Sequence, residues 1–307
     1  MASGSTEKTD PADARARLKA ATAAGAPTSI GLRGWLRLIA RLQLIILMLI
    51  VMVPFHYVWR MFKYGSPLPM YFLRWAARIV GARVELRGKP LRRDVFFTSN
   101  HVSWVDILAL AGASGTAFVA KQELRDTPVV GWLANLNRTV YVKREHRMGV
   151  AGQIMALRRA LADNWSVTVF PEGTTTDGQS LLPFKTAMLK VLDPAPPEVR
   201  VQPVVVDYGA VAEWIGWIGN ESGINNFKRV LAREGTFLLT LHYLEPFDPG
   251  AHGGRKEIGA EAYRQISDKL EEILGTFLRE FAFEVAPVRY APRDNADSAL
   301  ETGAVRL

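Results

Sequence analysis

The chain has 307 residues, 49% of them hydrophobic and 22% charged, with a mean hydropathy of +0.04. By length this is one large or two small domains with a sizeable core, and the composition is too polar for a polytopic membrane protein. The absence of cysteine excludes disulfide frameworks, thiol nucleophiles, iron–sulfur centres and Cys zinc sites, while a net charge of +8 points to an acidic partner: nucleic acid, an anionic bilayer or a phosphorylated small molecule.

The first thirty residues are small, polar and Ala-rich, too poor in large apolar side chains to offset the entropy of ordering, so 1–30 reads as a disordered tail. Leu42 to Trp59 then runs eighteen residues without a charge, flanked by Arg33, Arg37 and Arg41 before and by Arg60 and Lys63 after. As a helix it would be about 27 Å long, close to a hydrocarbon core of ~30 Å. It fits a single span, a re-entrant or interfacial hairpin turned by Pro54 or by Pro67 and Pro69, or a buried core helix. Basic residues on both flanks favour membrane association with both ends on the cytoplasmic face, and no small-residue cleavage site follows. Residues 31–80 are therefore assigned to a membrane-anchoring helical segment. From Arg60 to Arg93, nine basic residues face a single acid, Glu85, which suits attraction to anionic lipid.

From Ala82 the pattern changes to short β-rich runs: ARVELRG (82–88), VFFTS (95–99), TAFVAK (116–121), TVYVK (139–143), SVTVF (166–170), VQPVVVDY (201–208) and TFLLTLHYL (236–244). Helical windows lie between them, near 104–111, 128–136, 149–163 and 185–192, with a closing amphipathic helix near 259–281. This alternation predicts an α/β domain over 81–285, a largely parallel sheet flanked by helices, with functional residues on loops at strand ends. Residues 286–307 have the composition of a second disordered tail.

There is no G-x-G-x-x-G, no P-loop and no G-x-S-x-G elbow, and His56, His101, His146, His242 and His252 are too scattered to suggest a metal site. The first positive signal is Asn100-His101-Val102-Ser103-Trp104-Val105-Asp106, directly after VFFTS. With Ser103 as N-cap, His101 falls in the strand-to-helix loop and Asp106 on the first helical turn, where its carboxylate can turn back to the imidazole. A histidine held by an acid is the minimal device for activating an alcohol, although the same residues also serve as simple loop caps. The second signal is Phe170-Pro171-Glu172-Gly173-Thr174-Thr175-Thr176-Asp177-Gly178, on the same predicted sheet edge. Its N–H groups and hydroxyls suit an anion or a developing oxyanion; equally, Glu172 can satisfy local backbone donors within a tight turn. The third is Lys143-Arg144-Glu145-His146-Arg147, a basic strand-end loop able to bind phosphate or merely face solvent.

Together, NHVSWVD and FPEGT, about seventy residues apart with AKQEL (120–124) between them, resemble the glycerolipid acyltransferase superfamily, which includes bacterial 1-acyl-glycerol-3-phosphate acyltransferases. The likeness covers roughly residues 35–245. It implies that His101 is the general base and Asp106 its orienting partner. It implies substrate-binding roles for Lys121, Arg144, Glu172, Gly173 and Thr174, and it is echoed by Val201-Gln202-Pro203-Val204. The implied reaction moves a fatty acyl group from acyl-CoA or acyl-ACP to the hydroxyl of a lysolipid, with 1-acyl-sn-glycerol-3-phosphate ranked first as acceptor. The implied partners are those substrates and anionic membrane lipid, with no nucleic acid, cofactor or metal. Many members read F-P-E-G-T-R-S, where this chain has Thr175 in place of the arginine, and FPEGTTTDGQSLLPFK is similar to lyso-ornithine lipid acyltransferases. A non-catalytic lipid-binding protein and a thioesterase are the competing readings.

Overall fold

A computed structural model describes residues 19–62, 65–121, 125–142, 155, 157–158, 161 and 166–283. Helix α1, Leu32–Met61, is 30 residues, about 45 Å at 1.5 Å per residue, and continues through Pro54. It is long and apolar enough to cross a membrane, and only 6% of its most apolar window is buried. Helix α2, Leu68–Val80, has Pro69 in its first turn, where a missing N–H costs nothing. Arg41 ties the base of α1 to the body of the molecule. Its guanidinium donates to the carbonyls of Leu231 at 2.7 Å, Arg233 at 3.0 Å, Gly235 at 3.3 Å and Val230 at 3.4 Å.

Strands β1 (Ala82–Arg87), β2 (Val95–Ser99), β3 (Ala117–Lys121), β4 (Val140–Val142), β5 (Val167–Val169), β6 (Arg200–Asp207) and β7 (Phe237–Tyr243) form one sheet, in the order β1-β7-β6-β2-β5-β3-β4. Every expected strand is found within about a residue at each end. Pairing is parallel except between β6 and β7, so β1 and β7 run against the other five. The central β2 and β5 are buried on both faces, as a covered parallel sheet requires. Phe97 packs with Val105, Leu110 and Leu239 on one face, and Phe96 packs with Leu157, Val201 and Ile258 on the other.

The remaining helices are α3 (Val105–Ser114), α4 (Pro128–Leu136), the single turn α5 (Ala212–Ile215), α6 (Gly223–Ala232) and α7 (Arg255–Leu274). Gly112 lets α2 and α3 approach closely: a Cβ there would stand 2.7 Å from the Arg74 Cα. Helix α6 has no counterpart in the sequence reading, although Ser222 caps it by accepting from Asn225 N–H at 3.2 Å. The window at 185–192 forms a 3₁₀ turn, Met188–Leu192, and the closing helix begins earlier than expected and stops at Gly275 in the left-handed conformation. Most of the window at 149–163 lies outside the described residues, as does 286–307.

Residues 19–30, placed in the N-terminal tail by composition, pack against the body. Thr22 and Ala23 are buried, Asn220 N–H donates to Ala23 at 2.7 Å, and Lys19 Nζ donates to the Gly216 carbonyl at 2.9 Å. Small side chains give this strap little apolar area, and hydrogen bonds hold it instead.

Candidate active site

Strand β2 ends at Ser99, and the next residue prolongs the sheet by other means. Asn100 is fully buried, and its amide donates to the Val206 carbonyl at 3.0 Å and accepts from the Val206 N–H at 2.7 Å. A side chain thus stands in for the ladder where the backbone turns away. That turn brings His101 to the strand-end edge. Its Nδ1 lies 2.8 Å from Asp106 Oδ2, and its ring stacks on Phe170 with centroids 3.9 Å apart, 14° from parallel.

Asp106 occupies the first turn of α3 and is wholly buried. Its Oδ2 also accepts from the N–H of Val102 at 2.7 Å and of Ser103 at 3.0 Å, and its Oδ1 accepts from the Tyr208 hydroxyl at 2.5 Å. Surrounded by donors, the carboxylate presents only acceptor character to the ring, which assigns the hydrogen to Nδ1 and leaves a lone pair on Nε2. No described residue bonds Nε2, and the side chain keeps 17% exposure. Ser103, the expected cap, accepts only a long 3.4 Å bond from Val105 N–H, and the cap position falls one residue later, at Trp104.

The FPEGT loop leaves the adjacent strand β5 and meets the His101 loop directly. Thr176 donates to the His101 carbonyl from its N–H at 2.7 Å and from its hydroxyl at 3.2 Å. Glu172 is turned inward, 1% exposed, with Oε1 accepting from His101 N–H and Oε2 from Leu182 N–H, both at 2.9 Å. It clasps the two loops from beneath. Gly173 has φ +78°, a left-handed conformation that a side chain would strain, and Thr174 beside it is half-buried. The Thr175 hydroxyl is bonded to the Trp217 carbonyl, while Trp217 N–H donates to the Val102 carbonyl at 3.0 Å. The segment Gly216–Glu221 therefore backs both loops.

Lys121 is the last residue of β3, in register with Val142, so its backbone ends on the same edge as His101. Arg144, with Lys143 and Arg147, lies outside the described residues. Tyr208 is the neighbour of the His101–Asp106 pair that sequence reasoning missed; the available signal was its position directly after the Val-rich β6, on the edge that carries His101. An apolar cavity of about 170 Å³ lies between α1, α2 and α4, lined by Met52, Phe72, Ile107, Phe118 and Leu133 among others. The Phe118 ring stands 5.8 Å from that of Phe170, 11° from parallel, so a stack of three rings leads from the imidazole to the cavity wall. An acid-oriented imidazole next to an apolar cavity is equipped to activate a hydroxyl beside a hydrocarbon chain.

Comparison with known proteins bears on the family. A family model described as Acyltransferase matches residues 83–207. A lyso-ornithine lipid O-acyltransferase of Rhizobium meliloti is 31% identical over 292 residues, covering 89% of this chain and 97% of that protein. The chain belongs to the acyltransferase family. A second relative, a lyso-ornithine lipid O-acyltransferase of Brucella abortus, is 31% identical over 78% of this acyltransferase and 96% of its own length. A 1-acyl-sn-glycerol-3-phosphate acyltransferase of Neisseria meningitidis is 34% identical over 38% of the chain and 45% of its own. The fold is shared with the crystal structure of the 1-acyl-sn-glycerophosphate (LPA) acyltransferase PlsC from Thermotoga maritima, with a TM-score of 0.59 at 23% identity over 81% of this chain and 99% of that one.

The buried clasp makes the stability of the acyltransferase depend on pH. Burial pushes the Glu172 carboxyl from its ordinary 4.5 up to about 8, Asp106 and Asp177 push the same way, and the two N–H donors oppose them. A carboxyl that holds its proton more tightly when folded stabilises the fold at low pH, and that contribution is lost as pH rises from about 4.5 through about 8. Melting temperature is expected to fall across this window. In Glu172→Gln the slope should flatten, and the whole curve should drop by about 1–3 kcal/mol because the new NH₂ faces a backbone N–H. Thermal unfolding between pH 5 and 9 reads both effects; an unchanged slope in the variant would remove Glu172 as the source.

Proposed function

We propose that this acyltransferase moves a fatty acyl group from an acyl-CoA or acyl-ACP thioester to the free hydroxyl of a lysolipid at the cytoplasmic face of a membrane, and that the acceptor is lyso-ornithine lipid. The observation that carries the chemistry is the His101–Asp106 pair, with Nδ1 locked on a buried carboxylate and Nε2 unbonded among the described residues. In this reading His101 Nε2 takes the proton of the acceptor hydroxyl as its oxygen attacks the thioester carbonyl carbon. Asp106 fixes the ring and stabilises the imidazolium, and the oxyanion is held by loop N–H groups or by Lys121. Collapse of the tetrahedral intermediate breaks the C–S bond, and the imidazolium returns its proton to the departing thiolate. The apolar cavity takes hydrocarbon, Glu172, Gly173 and Thr174 shape the acceptor end, residues 31–80 anchor the enzyme, and 81–285 carry the chemistry.

Two observations favour lyso-ornithine lipid over 1-acyl-sn-glycerol-3-phosphate, which motif reading alone ranks first. The residue where many relatives of the latter kind carry a phosphate-gripping arginine is Thr175, and its hydroxyl is committed to Trp217. The long matches, over 89% and 78% of the chain, are to proteins named for lyso-ornithine lipid. The basic run Lys143–Arg147 supports the phosphate acceptor as the second reading, since a charge-assisted bond of that kind contributes about one to two decades of affinity. A panel of lysolipids with labelled acyl donor decides between them. The expected result is faster turnover of lyso-ornithine lipid, with Arg144→Ala leaving kcat/KM for lysophosphatidate within about twofold. A preference for lysophosphatidate that Arg144→Ala lowers by about tenfold or more would establish the second reading instead.

A further inference from the structure

We infer that Tyr208 is a positioning residue of the dyad: by donating to Asp106 Oδ1 it limits the pull of that carboxylate on a proton at His101, and so keeps the imidazole able to accept one at neutral pH. This rests on the reading of His101 as the base. Among the described residues the two carboxylate oxygens are served unequally. Oδ2 takes His101 Nδ1 and two backbone N–H groups, whereas Oδ1 has Tyr208 alone. Without the phenol, a fully buried carboxylate would hold one bare oxygen, and its charge would be answered only by the imidazole and the two backbone N–H groups on Oδ2.

The phenol is a dependable donor. Tyr208 is 3% exposed, and burial together with the Asp106 charge raises its ionisation well above the ordinary range, so it keeps its hydrogen at any working pH. Its ring lies 6.0 Å from that of Phe237, a packing role separable from the hydroxyl. Other titratable groups around the dyad are the inward Glu172 and Asp177 of the FPEGT loop and, from the neighbouring position on β6, Asp207 with His242 of β7 at 3.9 Å. None of the described ones bonds Asp106.

Tyr208→Phe keeps the ring and deletes the donor. The expected result is a kcat lowered about tenfold near pH 7 but much less near pH 9, an unchanged KM for the acceptor, and an acid limb of the kcat/KM profile moved up by about one pH unit or more. In an Asp106→Asn background the same change should cost less than about twofold further, because the charge it moderates is gone. A second readout needs no substrate: ¹⁵N NMR titration of the His101 ring in the resting enzyme, assigned with His101→Ala, should move in the same direction. If Tyr208→Phe lowers activity equally at all pH values and leaves the ring titration where it was, the residue is only structural and the inference fails. If the ring titration moves while the rate profile does not, the positioning role stands and His101 is not the base.

Discussion

Replacing His101 with alanine is expected to lower kcat/KM by ~100- to 10,000-fold, the usual worth of a positioned general base, while the chain still folds. Folding should survive because the ring is 17% exposed and bound by one hydrogen bond and one stacking contact, and because Asp106 keeps three other donors in its absence. Asp106→Asn should lose a comparable factor for a different reason. The amide oxygen can keep the Val102 and Ser103 donors, with its NH₂ turned to Tyr208, whose hydroxyl can also accept. Geometry is then largely retained, but no negative charge stands behind the imidazolium. Steady-state kinetics with the best acceptor, beside circular dichroism to verify the fold, tests both variants. More than about a tenth of wild-type activity in His101→Ala would remove it from the role of base.

The second large effect is on stability. Glu221 and Arg229 form a buried, two-pronged pair, Oε1 to Nε at 2.9 Å and Oε2 to Nη2 at 2.8 Å, with side-chain exposures of 1% and 8%. Asn225 and Asn226 fill the remaining acceptor sites of Glu221 at 3.1 and 2.9 Å, and Asn226 in turn accepts from the Trp104 indole at 3.1 Å. Arg229 also bonds the Gly216 carbonyl at 3.0 Å, so the network reaches the segment that backs both site loops. Glu221→Ala leaves the guanidinium buried without its counter-charge, which typically costs about 3–5 kcal/mol. Melting temperature should fall by on the order of 10 °C. Arg264→Ala is the control: its pairs with Glu261 and Asp268 are 60% exposed on the arginine side, and their loss should cost under about 1 kcal/mol. Scans of both variants at one heating rate decide the matter, and a Glu221→Ala melt within a degree or two of wild type would show that the pair contributes little.

Much of the fold was readable because its strands are short, apolar and bounded by polar turns, and a parallel sheet buried on both faces demands such runs. His101, Asp106 and the FPEGT loop were readable together because residues at the ends of adjacent parallel strands share an edge, whatever their separation in sequence. Other features were hidden for physical reasons. Helix α6 opens with Gly-Ile-Asn-Asn, weak helix formers, and owes its stability to its cap and to the buried face that includes Val230 and Leu231. The reversal of β7 is not written in its composition, since an apolar strand reads alike in either direction. Tyr208 lies 102 positions from Asp106, and no periodicity connects a phenol to a carboxylate at that range. The inward turn of Glu172 was hidden because its two donors, the N–H groups of His101 and Leu182, lie 71 and 10 positions away, outside its own turn.

The grip of Arg41 bears on how this enzyme can be handled. Four carbonyls at and beyond the end of α6 lean on a residue of the helix that also carries the most exposed apolar surface, and Leu38, Leu42 and Ile45 of that helix pack into the main core. A shortened chain beginning at Gly81 would uncap α6 and open that seam, so its failure to sediment with vesicles would not separate loss of anchoring from loss of fold. A water-soluble form is better reached by repainting than by cutting. Polar residues at the outward positions Leu47, Ile50, Phe55 and Met61, which are 58%, 64%, 63% and 79% exposed, leave the seam and its arginine untouched.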